Sequence, residues 1–390
     1  MEGLKPDVAP IRPCVPDGTH PQCHTWVEGN IVGALVVYVD GLLVSAPLDI
    51  HKAFMAALRT NWSIAEPEFL GPGDNMSESL RFLGMDIDLD PEDGHLVVHQ
   101  QVYIQDVLVK YAPLYQLRPK DTPRQPESFA GMRNLTKSPD QGESLFLVGV
   151  IGSLLSISLR TRPDITWAVP RVASLVASGP ELCKVRLKHL LQYLHHTINF
   201  GLKYTSMDSF DGFTHVYTDA SLCPTGEKSH QGVAITLGPN LISWASNRQA
   251  LVALSSAEAE LIALVFGLQL GESIRAQISE WLQTLVTLRG HCDNAVVVRY
   301  GSQLSYSASR TRHLAMRAAW VYDLCAIGHP SLTYVSTSEQ VADALTKGLS
   351  ALKNQRARLL LCLTTHLFAG DVLRPPRVYH IPCAATFCHI

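Results

Sequence analysis

The alternation of apolar and polar positions divides the chain into recognisable elements. From Ile31 it reads IVGALVVYVDGLLVSA, two apolar runs flanking Val39-Asp40-Gly41. Asp-Gly between β-branched runs suits a tight turn, so the pattern predicts a hairpin. A helical period covers Leu48 to Arg59, followed by a Pro/Gly-rich loop near 67–75. A second strand pair, LRFLGMDIDLD and HLVVHQ, is predicted around Pro91-Glu92-Asp93-Gly94. Helices are predicted at 101–111 and 144–202, separated by a Pro-rich linker at 113–140.

The pattern changes near Asp208–Gly212. Strands are predicted at 213–219, 231–237 and 241–246, then an apolar helix at 256–270 with a further helical segment to about Leu285. Next come a strand at 286–292, helices through 294–327, a strand at 331–335 and a last helix at 338–347. Three strands followed by alternating helix and strand predict an α/β fold, a mixed sheet with helices packed on it. Residues 1–29 are expected to be an irregular leader. Residues 351–390 are expected to be a tail that begins as a basic helix and ends in coil.

Composition narrows the class. With 390 residues, 46% of them apolar and 17% charged, the chain has room for two or three domains with ordinary cores. The net charge of −3 lacks the basic excess usual in nucleic-acid binders. Basic residues cluster only locally, at Lys184, Arg186 and Lys188, at Arg310, Arg312 and Arg317, and at Lys353, Arg356 and Arg358. Each cluster is either a solvated face or a phosphate contact. The nine cysteines include no CxxC pair, which suits free thiols in a reducing compartment. His380, Cys383, Cys388 and His389 match no zinc spacing. The N-terminus has no apolar core of a signal peptide. The longest uncharged apolar run, Ser144 to Leu159, is short for a bilayer and predicts a buried helix. An intracellular protein with no membrane partner is expected, cytoplasmic and nuclear being indistinguishable.

The chemistry concentrates in carboxylates of the second half. Asp219 ends the first strand of that half (HVYTDAS) and Asp293 ends the fourth (HCDN). Both emerge at a sheet end, where open α/β sheets place ligands. Grouped carboxylates repel one another and are stable together mainly around cations. Taken singly, each acid reads better as a turn or cap residue. On the helix opening LSSAEAELIAL, Ser255 and Glu258 form a capping box, which gives Glu258 a structural task. Glu260 lies about 200° further round, on the side of Leu264, Gly267 and Leu268, and is the acid expected to point inward. Thr337 and Gln340 can cap the last helix, with Gly348 as its stop. Asp343, among Val341, Ala342, Ala344 and Leu345, is then either an exposed position or a ligand.

The segments VYTDAS, LISWASNRQALVALSSAEAELIAL, HCDN, SRTRHLAMRAAW and LTYVSTSEQVADALTKGL resemble the ribonuclease H domain of copia-type LTR retrotransposon Pol polyproteins, over about residues 213–350. Upstream, VVYVDGLLVSA, LRFLGMDIDLD, QVYIQDVLVKY, VGVIGSLLSISLRTRPDITWAV and LLQYLHHTINFGLKY resemble the second half of the same family's reverse transcriptase. The resemblance implies a partial α+β palm at 30–111, a linker and helical thumb-like or connection-like segment at 112–210, and a ribonuclease H-like five-stranded mixed sheet at 211–350. It assigns catalysis and metal ligation to Asp219, Glu260, Asp293 and Asp343. The cofactor is two Mg²⁺ ions, with Mn²⁺ as a substitute, about 3.5–4 Å apart, one generating the attacking hydroxide and one stabilising the leaving 3′ oxygen. The partner is an RNA/DNA hybrid read through backbone shape and the 2′-hydroxyl, with other retroelement Pol products as further partners. Arg312 and His313 match a motif that either contacts substrate or, for His313, packs structurally.

The polymerase half departs from the family pattern. Where the family reads Tyr-Val-Asp-Asp, Tyr38-Val39-Asp40 is followed by Gly41, and only about 30 unrelated residues precede the motif. Two-metal nucleotidyl transfer needs several carboxylates. Asp40 is therefore expected to be an inactive remnant in a hairpin turn. The alternatives to an active nuclease are a non-catalytic nucleic-acid-binding remnant and an element fragment without function.

Overall fold

The computed structural model describes residues 12–13, 22–28, 30–39, 41–71, 76–90, 94–111, 117–123, 141–207, 210–222, 228–303, 312–365 and 386–389. The chain forms two compact units. One comprises Met1–Val97, Ala276–Val286 and Phe368–Ile390, the other Val98–Arg275 and Thr287–Leu367.

In the first unit, β1 (Arg12–Pro13), β2 (Gln22–Glu28), β3 (Asn30–Tyr38) and β4 (Gly41–Ser45) pair antiparallel in sequence order. The expected hairpin is present, with Tyr38 opposite Gly41 and Val39 at φ +54° in the turn. Asp40 lies outside the described residues. The leader is not wholly irregular, since Gln22–Glu28 forms a strand along β3; the His- and Pro-rich surroundings of QCHTWVE mask its β-favouring Thr, Trp and Val. Helix α1 (Leu48–Arg59) follows, and Leu35, Leu42, Val44, Phe54 and Met55 form a common core. The two-residue strand β5 is Glu68–Phe69. LRFLGMDIDLD is itself a hairpin, not one strand. Its halves β6 (Ser79–Phe82) and β7 (Met85–Leu89) turn at Leu83-Gly84, both at positive φ. Such a turn needs left-handed backbone, which Gly84 adopts at no cost. Strand β8 is Leu96–His99. A short strand at Thr386–His389 pairs with β4 and β5.

The second unit begins with helices α2 (Gln101–Tyr111), α3 (Gln141–Arg160), α4 (Ala168–Ala173) and α5 (Pro180–His196). The single helical stretch expected over 144–202 is broken twice and ends in strand β9 (Phe200–Tyr204). Pro163 opens a 3₁₀ turn and Pro180 opens α5, each where a missing N–H costs nothing. Ile104, Leu147, Leu154, Ile157, Leu187 and Leu191 are central to the helical core.

Strands β10 (Phe213–Ser221), β11 (His230–Leu237) and β12 (Asn240–Arg248) then form an antiparallel meander. Helix α6 (Ser256–Leu282) crosses over to β13 (Thr287–Cys292), which pairs parallel with β10. Helices α7 (Ala295–Arg299) and α8 (Arg312–Ala326) lead to β14 (Ser331–Tyr334), parallel to β13. The result is a five-stranded mixed sheet ordered β12-β11-β10-β13-β14, in keeping with the expected α/β class. A 3₁₀ turn at Val341–Leu345, helix α9 (Ala351–Leu360) and strand β15 (Leu363–Thr365) complete the unit, with β15 antiparallel to β9. α3 and α6 have the length and composition to cross a membrane, yet each contributes buried residues to these cores.

Helix α6 is continuous where a break near residue 270 was expected. Gly267 and Gly271 explain why: they face the sheet rather than interrupt the helix. A Cβ on Gly267 would lie 2.4 Å from Thr218 Cγ2, and one on Gly271 2.5 Å from Val216 Cγ2. Gly267→Ala sets two effects against each other. Alanine improves helix propensity by about 1 kcal/mol, while overpacking against a β-branched neighbour costs about 1–3 kcal/mol. The clash dominates because Thr218 is fixed in the sheet. A lowered urea midpoint with unchanged slope is expected, and a midpoint at or above that of the parent would refute close packing here.

Candidate metal centre

Four elements of the second unit deliver the acids. Asp219 lies near the end of β10, two residues before Ser221, on the strand face it shares with Tyr217, against which the 3₁₀ turn at 341–345 packs. Glu260 projects from the second turn of α6, with Leu264 and Leu268 of the same helix fully or almost fully buried. Asp293 directly follows β13. Asp343 sits inside the 3₁₀ turn. Asp219, Glu260 and Asp343 are buried and Asp293 is half-buried.

Neighbouring residues perform the capping tasks open to these acids. Glu258 Oε2 accepts from the Leu254 N–H at 2.7 Å, and Ser255 Oγ accepts from the Glu258 N–H at 3.1 Å. Asn294 caps α7, accepting from the N–H groups of Val296 and Val297. Gln340 caps the 3₁₀ turn by accepting from the Ala342 N–H at 3.3 Å. The expected helix at 338–347 is thereby corrected to five 3₁₀ residues, and its proposed Thr337–Gln340 capping box does not form. Gln340 Nε2 is drawn to the Thr218 carbonyl at 3.0 Å, and Thr337 Oγ1 donates to Asp293 Oδ2 at 2.8 Å. Both groups are engaged across the sheet, so no second helical turn is capped.

The acids are mutually coupled. Ligand atoms of Glu260, Cys292 and Asp293 all lie within 4.8 Å of one another. Burial, reinforced by the charges of Asp219 and Asp293, pushes the Glu260 carboxyl up to about 9, against a backbone hydrogen bond from Ala220. Burial also raises Asp219; Lys347 and a hydrogen bond from Thr346 oppose the shift, while the charges of Asp343 and Asp293 add to it. The Cys292 thiol is pushed up to about 12, chiefly by burial and then by Glu260, and remains neutral near pH 7. Among the described residues one ammonium faces this cluster: Lys347 Nζ contacts Asp343 Oδ1 and lies 3.7 Å from Asp219 Oδ2.

This donor set fits divalent cations. Among the described residues four carboxyl groups face one ammonium in a mostly buried place, and holding them ionised together calls for oxygen-preferring cations. Cys292, Thr337, Thr346 and Lys347 were not anticipated from the sequence. Lys347 stands four residues after Asp343, a spacing that could have flagged it; Thr337 had been read only as a cap. Arg312 and His313 open α8, with their side chains outside the described part, and Asp40 is not described at all.

No family model matches the chain. The retrovirus-related Pol polyprotein from transposon RE1 of Arabidopsis thaliana is 30% identical over 340 residues, covering 83% of this chain and 21% of the relative. The corresponding polyprotein from transposon RE2 of the same plant is 28% identical over 362 residues, covering 89% of this chain and 23% of the relative. The chain thus spans between a fifth and a quarter of the length of these curated relatives. Among solved structures, RNase H1 from Halobacterium salinarum NRC-1 aligns with 36% of this chain and 98% of its own at 17% identity, with a TM-score of 0.26.

Proposed function

Taking as premise that the chain is a relative of the retrovirus-related Pol polyproteins of transposons, we propose that its second unit is a ribonuclease H that hydrolyses the RNA strand of RNA/DNA hybrids with two divalent cations, Mg²⁺ or Mn²⁺. What supports this reading is that Asp219, Glu260, Asp293 and Asp343, carried by four separate elements, act on one another electrostatically, with Lys347 the one ammonium among them in the described residues. When bound, the cations supply Lewis-acid activation of water and stabilisation of the leaving oxygen.

The chain's own residues hold and orient. Glu260 and Asp293 would ligate on one side, Asp219 and Asp343 on the other. Thr337 fixes the Asp293 carboxylate, and Thr346 fixes that of Asp219. Burial of Asp219 and Glu260 excludes water from their oxygens and strengthens any charge interaction there. Arg312 and His313 are proposed substrate contacts. A hybrid would be distinguished through its backbone and 2′-hydroxyl groups rather than base sequence. We assign no nucleotidyl transfer to the first unit, because Gly41 follows Asp40 where two-metal chemistry needs a second carboxylate.

The test is cleavage of an end-labelled RNA/DNA hybrid in Mg²⁺. The parent is expected to cut the RNA strand. Asp219→Asn, folded by circular dichroism, is expected to be slower by at least about a hundredfold, since several kcal/mol of charge stabilisation depend on the ligand set. An inactive parent, or equal rates, would reject the proposal.

A further inference from the structure

The acids divide into two groups with unlike surroundings. Ligand atoms of Glu260, Cys292 and Asp293 lie within 4.8 Å of one another. Asp219 and Asp343 instead share Lys347, whose Nζ contacts Asp343 Oδ1 and lies 3.7 Å from Asp219 Oδ2. Lys347 is placed there by the chain. It follows the 3₁₀ turn at i+4 from Asp343, and the adjacent Thr346 hydroxyl donates to Asp219. Its side chain is 42% exposed, against 3% for Asp219 and 12% for Asp343, so the stem has an open route to solvent.

An ammonium is a compact, strongly hydrated charge on a flexible stem. At Asp219 and Asp343 it uses the oxygens that a divalent ion would need. An ammonium already seated at those oxygens repels a divalent ion that approaches them and occupies the space it would fill. We propose that Lys347 is a built-in competitor for the cation that Asp219 and Asp343 would bind, so that the centre fills in two unequal steps. The first ion takes the Glu260–Asp293 side. The second enters only when the Lys347 ammonium swings out toward solvent. Asp219 and Asp343 are thereby kept charge-compensated before the second ion arrives, and the stretch Thr346-Lys347 sets how much free metal the protein needs. This inference rests on the metal-centre reading above and concerns the order and strength of ion binding.

The experiment is calorimetric titration of the full chain with Mn²⁺ without nucleic acid, with bound Mn²⁺ counted by electron paramagnetic resonance. The parent is expected to show one tighter and one weaker event, or a single event where the second is too weak to register. Lys347→Gln and Lys347→Met remove the charge at a part-exposed position and are expected to tighten the second event at least tenfold, leaving the first within about threefold. Lys347→Arg keeps the charge and is expected to stay weak at the second step. An unchanged or weakened second event in both neutral variants would overturn the proposal, because the ammonium would then be supporting the acids rather than competing at them. Absence of Mn²⁺ binding in every variant would reject the metal centre itself and this inference with it. Two-step binding relieved by Lys347→Gln in a parent that cuts no hybrid would reject only the nuclease assignment.

Discussion

A Glu260→Gln variant is expected to lose hybrid cleavage by at least about a thousandfold and, in EDTA at pH 8, to unfold at a higher temperature than the parent. The two effects share one cause. Glu260 is buried among Asp219 and Asp293, and its carboxyl is pushed from an ordinary value of 4.5 up to about 9. Between those values the folded chain retains a proton that the unfolded chain releases. Metal-free stability therefore falls as pH rises from about 4.5 to about 9, at about 1.4 kcal/mol per pH unit at most. Glutamine has nearly the same shape, can accept the Ala220 hydrogen bond through its amide oxygen, and carries no charge at any pH. The variant should gain a few kcal/mol at pH 8 and little at pH 5. Its loss in catalysis, about 4 kcal/mol for a thousandfold, follows because a neutral amide is a poor ligand for a hard cation. Thermal unfolding at both pH values, beside a cleavage assay in Mg²⁺, checks both signs. A stability difference independent of pH, or a variant that still cuts, would show that Glu260 is an ordinary buried acid.

Much of this arrangement is legible in the sequence, and the reasons differ from residue to residue. The strands from 213 onward are readable because alternation is strong: Thr214, Val216 and Thr218 are fully buried while His215 and Tyr217 are only partly so. The inward direction of Glu260 follows from its helical phase relative to Leu264 and Leu268, which the structure buries. What could not be read is mostly long-range. Thr337 has the spacing of a helix cap, and only the nearness of Asp293 across the sheet draws it elsewhere. The Leu83-Gly84 turn hides inside an apolar run because a two-residue loop leaves almost no polar signature. Gly271 suggests a helix break by propensity but is retained by close approach to Val216. Lys347 is an unremarkable exposed lysine by composition, and its role depends on Asp219, 128 positions earlier in the chain. Local chemistry is visible in the residues themselves; contacts made by folding are not.

Asp164→Ala is expected to cost about 3–5 kcal/mol of stability, without altering the cleavage rate of the folded fraction. Asp164 is buried and accepts from Arg162 Nε at 2.9 Å, Arg162 Nη2 at 2.8 Å and the Tyr193 hydroxyl at 2.5 Å. Arg162, wholly inaccessible to solvent, also donates to the Thr197 carbonyl at 2.9 Å and to Thr197 Oγ1 at 2.7 Å. Asn354 of α9 reaches both Tyr193 Oη and the Asp121 carbonyl, tying α9 into the same network. Removing the carboxylate leaves a guanidinium and a phenol buried without their main acceptor, and the desolvation penalty of that charge goes unanswered. Burial alone would raise the Asp164 carboxyl, but Arg162 outweighs it and holds the group below its ordinary 3.8. Its contribution is therefore fully present above that value and is lost as pH falls beneath it, so the parent's advantage over Asp164→Ala should shrink in acid. Arg162→Met should cost a similar amount. The double variant Arg162→Met/Asp164→Leu should cost less than the sum of the single losses, because it strands no charge, yet more than nothing, because Thr197 and Tyr193 lose partners. Urea unfolding of the four proteins decides the matter. Strict additivity would mean that the two charges do not depend on each other, and the network would then not be what joins these helices.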